Sequence, residues 1–290
     1  MENSRRSALM FIASMLIFGT IGIFRRYLPF SSAFLAFARG VTGGLFLLLF
    51  VRLKRREPGA GLPKRVFLRL AVTGAVMGVN WILLFEAYSY TTVAVATLCY
   101  YMQPTIVMLL SPLLFGERLT LKKGLCAAAA VIGMILVSGA AGGGGGSPRG
   151  ILLGLGAALF YAGVVILNKK TPGVDPYRKT IIELFSAGLV MIPYLLLSRS
   201  AGAGTPGPSA VILLLVVGLV HTGLAYVLYF GSMDGLQAQT IALLGYIDPV
   251  SALLFSAVFL GEPLRLTGLA GAALIIGSAI LGETGGKRGG

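Results

Sequence analysis

Thirteen residues separate Pro104 from Glu117, and thirteen separate Pro249 from Glu262. The local text repeats as well: Tyr101-Met102-Gln103-Pro104 answers Tyr246-Ile247-Asp248-Pro249, and Phe115-Gly116-Glu117 answers Leu260-Gly261-Glu262. One half of the chain restates the other at an offset of 145 residues. A sequence written twice folds as two like units. Because both copies lie in strongly apolar stretches, the prolines mark helices broken inside a membrane, a pattern that points to a solute path.

Composition leaves little room for another class. Of 290 residues 56% are hydrophobic and 12% charged, with a mean hydropathy of +0.88, whereas soluble domains carry about 25% charged residues. The net charge of +14 sits in short loops between apolar runs and forms no basic stripe, which argues against a nucleic-acid partner. Cys99 and Cys126 fall inside apolar runs, with neither metal-site nor disulfide spacing, so buried packing is expected and no metal or cofactor is. Arg5 and Arg6 precede an apolar stretch that imitates a signal peptide. It is as long as a span and lacks a small-residue cleavage site, so it reads as a retained first helix.

A spanning helix needs about 20 apolar residues. Ten spans are expected, at 7–24, 31–51, 66–86, 91–114, 124–141, 150–168, 179–198, 210–231, 238–260 and 266–282. With the N-terminus inside, one side of the membrane holds Arg5, Arg6, Arg52, Lys54, Arg55, Arg56, Lys64, Arg65, Arg69, Arg118, Lys122, Lys123, Lys169, Lys170, Arg178, Lys179, Lys287 and Arg288. The other holds Arg25, Arg26, Arg149, Arg199 and Arg265, and Arg39 alone lies within a span. This asymmetry places both termini in the cytoplasm. Five spans per half is odd, so the second half enters from the opposite side: an all-α polytopic protein of ten transmembrane helices in two inverted five-helix repeats. The expected division is 1–141, a Gly-rich linker at 142–149, and 150–290. The small-residue pairs Ala129/Gly133 and Ala273/Gly277 predict close packing of the fifth and tenth spans.

These features resemble the drug/metabolite transporter superfamily, specifically its EamA-type ten-helix exporters. The resemblance rests on the proline of the fourth and ninth spans, the Gly-Glu thirteen residues later, the glycines that follow (Gly124 and Gly133, Gly268 and Gly277) and the Arg39-Gly40 pair. It covers essentially the whole chain. It implies secondary transport of small organic solutes, amino acids among them, often outward, in a bacterial plasma (inner) membrane.

Polar residues inside the hydrocarbon are costly, about 2.5–3.5 kcal/mol for an ion even on a lenient scale, and normally face a cavity or a partner. Arg39 and Glu183 occupy matching places in the second and seventh spans. They are expected to hold opposite ends of a zwitterionic solute or, alternatively, to form a structural ion pair. Gln103 and Asp248 precede the helix-breaking Pro104 and Pro249, whose missing amides free the carbonyls of Tyr100 and Gly245. Asp248 is the leading proton-coupling candidate and His221, the sole histidine, the second, with a structural donor role as its alternative. Asn80, Trp81 and Tyr226 complete the expected substrate-binding set, with Tyr101, Tyr161 and Tyr246 behind them. Glu117 and Glu262 sit at span ends, where each is expected to favour the positive end of the next helix. Glu86 is expected near an entrance.

The expected function is therefore a secondary transporter, an exporter by the resemblance, moving small metabolites such as amino acids or drug-like solutes by alternating access. Protons are the candidate coupling ion, the bilayer its solvent, and the chain a monomer or homodimer. An uptake permease or an uncoupled facilitator is the alternative. An intramembrane enzyme lacks its signatures here, with no His-Glu-x-x-His and no Gly-x-Ser-x-Gly. A channel needs rings of repeated polar residues, and no P-loop is present.

Overall fold

The computed structural model describes residues 2–54, 61–116, 120–138, 147–197, 207–233, 235–236 and 238–284. Glu117 and the Gly142–Gly146 joint lie outside them. The elements are α1 (Glu2–Gly19), α2 (Ile21–Tyr27), α3 (Ser32–Leu53), α4 (Lys64–Tyr90), α5 (Val93–Tyr100), α6 (Gln103–Phe115), α7 (Leu121–Ser138), α8 (Pro148–Lys169), α9 (Pro176–Leu189) and α10 (Met191–Leu197). After these come α11 (Pro208–Gly218), a π-helical stretch (Leu219–Leu224), α12 (Ala225–Met233), α13 (Ala238–Gly245), α14 (Ile247–Leu260) and α15 (Leu266–Thr284). Among the described residues, seven helical rods are long and apolar enough to cross a membrane, and Ile247–Leu260 and Leu266–Leu281 are shorter apolar helices. With α7, ten rods form two five-helix repeats.

Chain chemistry explains where rods break. The fourth and ninth spans, expected to break near Pro104 and Pro249, are each two helices. Tyr101 caps α5 and Pro104 lies in the first turn of α6, where a missing amide costs nothing. In the ninth span the break falls at Tyr246. Gly116 and Gly261 end α6 and α14 at φ 67° and 66°, the left-handed conformation glycine adopts without strain. That accounts for the glycine of each Gly-Glu motif. Three irregularities were not expected: the first span breaks at Thr20, between α1 and α2, the seventh breaks at Val190, between α9 and α10, and the eighth carries the π turn.

Most major packing joins the halves: α4 with α8 and α9, α3 with α9, α1 with α12 and α14, and α7 with α15. Leu184, Ala187, Leu47, Phe85 and Val217 are buried there, while Leu45, Leu49, Leu113 and Val258 face outward, the arrangement expected where lipid is the solvent. Gly40 permits the crossing of α3 and α9, since a Cβ there would stand 2.6 Å from Leu184 O. The fifth and tenth spans do pack closely, through Gly133 as expected but through Gly271 rather than Gly277. A Cβ on Gly133 would meet Gly271 O at 2.7 Å, whereas nothing lies within 4 Å of one on Gly277. Ala273 is exposed and Ala272 buried. Gly271 and not Gly277 is turned toward α7, which text similarity cannot reveal.

Candidate functional site

The central site is built around Arg39, which is 6% exposed on α3. Its Nε donates to Thr222 Oγ1 at 2.8 Å, and its guanidinium carbon lies 4.1 Å from the Trp81 ring centroid and 5.9 Å from that of Phe85. A desolvated cation over an indole gains about 2 kcal/mol, and the hydroxyl fixes the plane of the fork. The π turn produces this geometry. Thr222 also donates to Val217 O at 3.1 Å, five residues back, so the extra residue in the turn aims both Thr222 and His221 inward.

The ionisable groups near enough to act on Arg39 are Tyr226, Tyr100, Tyr88 and Asp248. Tyr100 stacks on Tyr161, with centroids 4.9 Å apart and planes 4° apart, and meets Tyr101 edge-on at 5.9 Å. Tyr101 donates its hydroxyl to Asp248 Oδ2 at 2.6 Å. The two helix breaks are thereby joined across the repeats. Tyr226 stacks on Phe230 at 5.7 Å and presents an edge to Phe18 at 5.6 Å. Arg39, Trp81, Tyr226 and Asp248 thus belong to one aromatic chamber. Gln103 is half-buried at the start of α6, adjoining the Tyr101 break.

Other candidates lie elsewhere. The alternative reading of Arg39 and Glu183, a structural ion pair, is not what the structure shows, because helical alignment does not fix azimuth. Glu183 lies instead beside the Asn168 side chain and Lys179. Asn80, 1% exposed, gives its amide to Ala157 O at 2.6 Å and so ties α4 to α8. His221 Nε2 lies 2.9 Å from Thr20 Oγ1, Nδ1 lies 3.4 Å from Val216 O, and the ring stands edge-on to Phe24 at 4.5 Å. Val216 O can only accept, so Nδ1 is the donor in that contact, and the Thr20 hydroxyl lies within reach of both Ile17 O and Nε2. Tyr246 is buried at the second break. Glu86 accepts from Ser32 at 2.7 Å.

Glu262 does sit at a helix's positive end, but not that of the next helix. Its Oε1 and Oε2 accept from Val93 N at 2.8 Å and Ala94 N at 3.1 Å, capping α5 of the other repeat, and Arg26 pairs with it at 3.6 Å. A cleft of about 420 Å³ lies beside this cap, lined by Arg26, Thr91, Leu98, Leu136, Leu253, Glu262 and Arg265 among others, and by none of the eight expected substrate residues. Sequence reasoning missed the roles of Thr222 and Asn168. Their one detectable signal was polarity within an apolar run.

The family model for EamA-like transporters matches the chain twice, over residues 5–139 and 148–282. An uncharacterized transporter, YxxF, of Bacillus subtilis is 28% identical over 253 residues, covering 86% of this chain and 80% of that one. Protein PecM of Dickeya dadantii is 29% identical over 267 residues, covering 88% and 84%. A solved crystal structure of a protein superposes with a TM-score of 0.65 over 96% of this chain and 98% of that one. At 22% identity it speaks to the fold alone.

Proposed function

We propose a cargo and a mechanism for this chain, which belongs to the EamA-like transporter family, within the drug/metabolite transporter superfamily. It is a multi-pass membrane transporter. Its cargo is a small organic solute with a carboxylate, a cationic group and an apolar body, the chemistry of an amino acid or similar metabolite. It exports that solute across a plasma membrane by alternating access between repeats 1–141 and 150–290, joined by 142–149, with both termini cytoplasmic.

One observation carries the reading. Arg39 is buried, oriented by Thr222 and Trp81, and among the described residues it makes no ion pair. A buried guanidinium without a counter-charge is costly, and a solute carboxylate supplies one in the bidentate geometry that arginine favours. Asp248, on the opposite break, is the natural partner for the cationic group, and Tyr100, Tyr161 and Tyr226 wall the apolar body. Solute and proton competing for Asp248 yield antiport by linkage. His221, with both ring nitrogens near protein oxygens, is left to hold the eighth span against the first.

Proteoliposomes loaded with labelled amino acids test this. Wild type exchanges them, and Arg39→Ala raises KM at least tenfold, since charged hydrogen bonds are each worth about 1.5–3 kcal/mol. Asp248→Asn keeps exchange but loses accumulation driven by a pH gradient. Unchanged exchange in Arg39→Ala removes the chamber as the binding site. A wild type indifferent to the gradient leaves uncoupled passage.

A further inference from the structure

We infer that the cleft beside the Glu262 cap binds an anionic phospholipid, its phosphate held at Arg265, Thr91 and the first turn of α15, and the start of its acyl chain against the apolar wall. The site stands apart from the Arg39 chamber and does not depend on the cargo proposed above.

Three helices begin at this cleft. Thr92, Ala94 and Val95 at the start of α5, Ser147 at that of α8, and Thr267 and Gly268 at that of α15 all line it. A helix start carries amides without a partner inside the helix and a partial positive charge. The protein supplies an anion to one of the three. Glu262, the one carboxylate in the lining among the described residues, caps α5 and pairs with Arg26 at 3.6 Å. Ser147 makes no side-chain cap on α8, and the first turns of α8 and α15 hold no acid. Each has an arginine instead: Arg149 in the first turn of α8 and Arg265 immediately before α15. The first bond of α15 that runs back four residues joins Leu269 N to Arg265 O at 2.9 Å, so the amides of Thr267 and Gly268 lie ahead of it.

A cation at the positive end of a helix is unfavourable, and an anion between the two reverses the sign of both interactions. Neither Arg149 nor Arg265 makes an ion pair among the described residues. The Arg149 guanidinium carbon lies 4.1 Å from the ring centroid of Tyr90, which also lines the cleft. Of the five basic residues that the charge pattern assigns to this side, Arg26, Arg149 and Arg265 thus gather at one place.

An independent observation comes from Thr91. It lines the cleft at 7% exposure, and its Oγ1 is buried without a hydrogen-bond partner. Its carbonyl already accepts from Arg26 at 2.6 Å, and its methyl is turned toward Gly150 of α8. Buried hydroxyls are rarely left unbonded, and a phosphate oxygen is a strong acceptor for this one. The remaining lining decides between a lipid and a dissolved anion. Leu98, Leu136 and Leu253 give the cleft of about 420 Å³ an apolar wall that a free phosphate leaves unused. The site also lies at helix ends, where headgroups stand: Tyr90 closes α4 and Leu266 opens α15. Leu264 and Leu269, exposed in the same lining, let a chain continue outward into the bilayer. On the proposed orientation this is the outer leaflet.

Native mass spectrometry of the purified full-length protein, titrated with phosphatidylglycerol or with zwitterionic phosphatidylcholine of the same chains, tests the site. Phosphatidylglycerol should bind about tenfold tighter, and Arg265→Gln and Thr91→Val should each weaken it about tenfold, one charged hydrogen bond's worth. Arg52→Gln, which removes an exposed arginine from the far end of α3, should leave it unchanged. Without lipid, Thr91→Val should unfold at the same temperature as wild type or higher, because it removes an unbonded hydroxyl. Inorganic phosphate in large excess should not displace the lipid. Equal affinity for the two lipids, full phosphatidylglycerol affinity in either cleft variant, or an equal loss in Arg52→Gln overturns the site. Displacement by inorganic phosphate overturns the lipid and gives the cleft to a dissolved anion.

Discussion

Removing the Glu262 carboxylate should unlatch one end of the transporter. Its two oxygens hold Val93 N at 2.8 Å and Ala94 N at 3.1 Å, with Arg26 at 3.6 Å. Hydrogen bonds to a charged acceptor contribute about 1.5–3 kcal/mol each, so the pair is worth roughly 3–5 kcal/mol after overlap. Arg26 is 35% exposed, and its ion pair adds under about 1 kcal/mol. If these contacts exist only while this end is closed, Glu262→Ala shifts the equilibrium toward open conformers by ~10²–10⁴, at about 1.4 kcal/mol per tenfold. Glutamine keeps one acceptor and loses the charge, for roughly tenfold. Cys99, wholly buried on α5 where Gly154 of α8 approaches it, reports the change. In a Cys126→Ala background, maleimide labelling of Cys99 tracks the open population when reclosing outpaces reaction. The expected order of rates is Glu262→Ala, then Glu262→Gln, then Arg26→Ala, then parent. Equal labelling in Glu262→Ala and parent, or a larger effect from Arg26→Ala, would refute the cap as the latch.

Three further outcomes are expected. Gly133→Ala drives a methyl toward Gly271 O and lowers the thermal midpoint, whereas Gly277→Ala meets open space and raises stability by up to about 1 kcal/mol through helix propensity; thermal unfolding in one detergent compares them. Thr222→Val removes the acceptor that orients Arg39 and should raise KM for exchange about tenfold, one charged hydrogen bond's worth, with surface expression as the control. Alkaline phosphatase fused after Gly144 should be active and after Lys54 inactive; the opposite pattern reverses the orientation.

Local chemistry was legible in the sequence, and azimuth was not. Pro104 and Pro249 announced their helix breaks because a missing amide acts within one turn, and Gly116 and Gly261 announced helix ends because left-handed backbone favours glycine. Arg39 and Glu183 were matched by aligning their spans, yet which way each points depends on helix rotation. That rotation is set by glycine crossings such as Gly40 on Leu184, and by a π turn no periodicity predicts. Glu262 was recognised as a helix-end charge, but its helix lies 169 residues away in sequence. Gly277 resembled Gly133 in text, yet only Gly133 closely approaches the facing helix.

The Arg39–Thr222 hydrogen bond also spans time. Its partners are 183 residues apart, and chains emerge N-terminus first, so Arg39 enters the bilayer well before Thr222 has been made. Until then the second span must be inserted on its own merits, with an arginine costing about 2.5–3.5 kcal/mol at its middle. The run Leu45-Phe46-Leu47-Leu48-Leu49-Phe50-Val51 that follows, at about 0.3–0.6 kcal/mol favourable per Leu, Phe or Val, offsets much of that cost. Glu262 comes later still, so α5 acquires its cap only when the ninth span has been threaded. Trimming the leucine run should therefore harm assembly before it harms transport: the first half of this chain has to wait, uncomplemented, for the second.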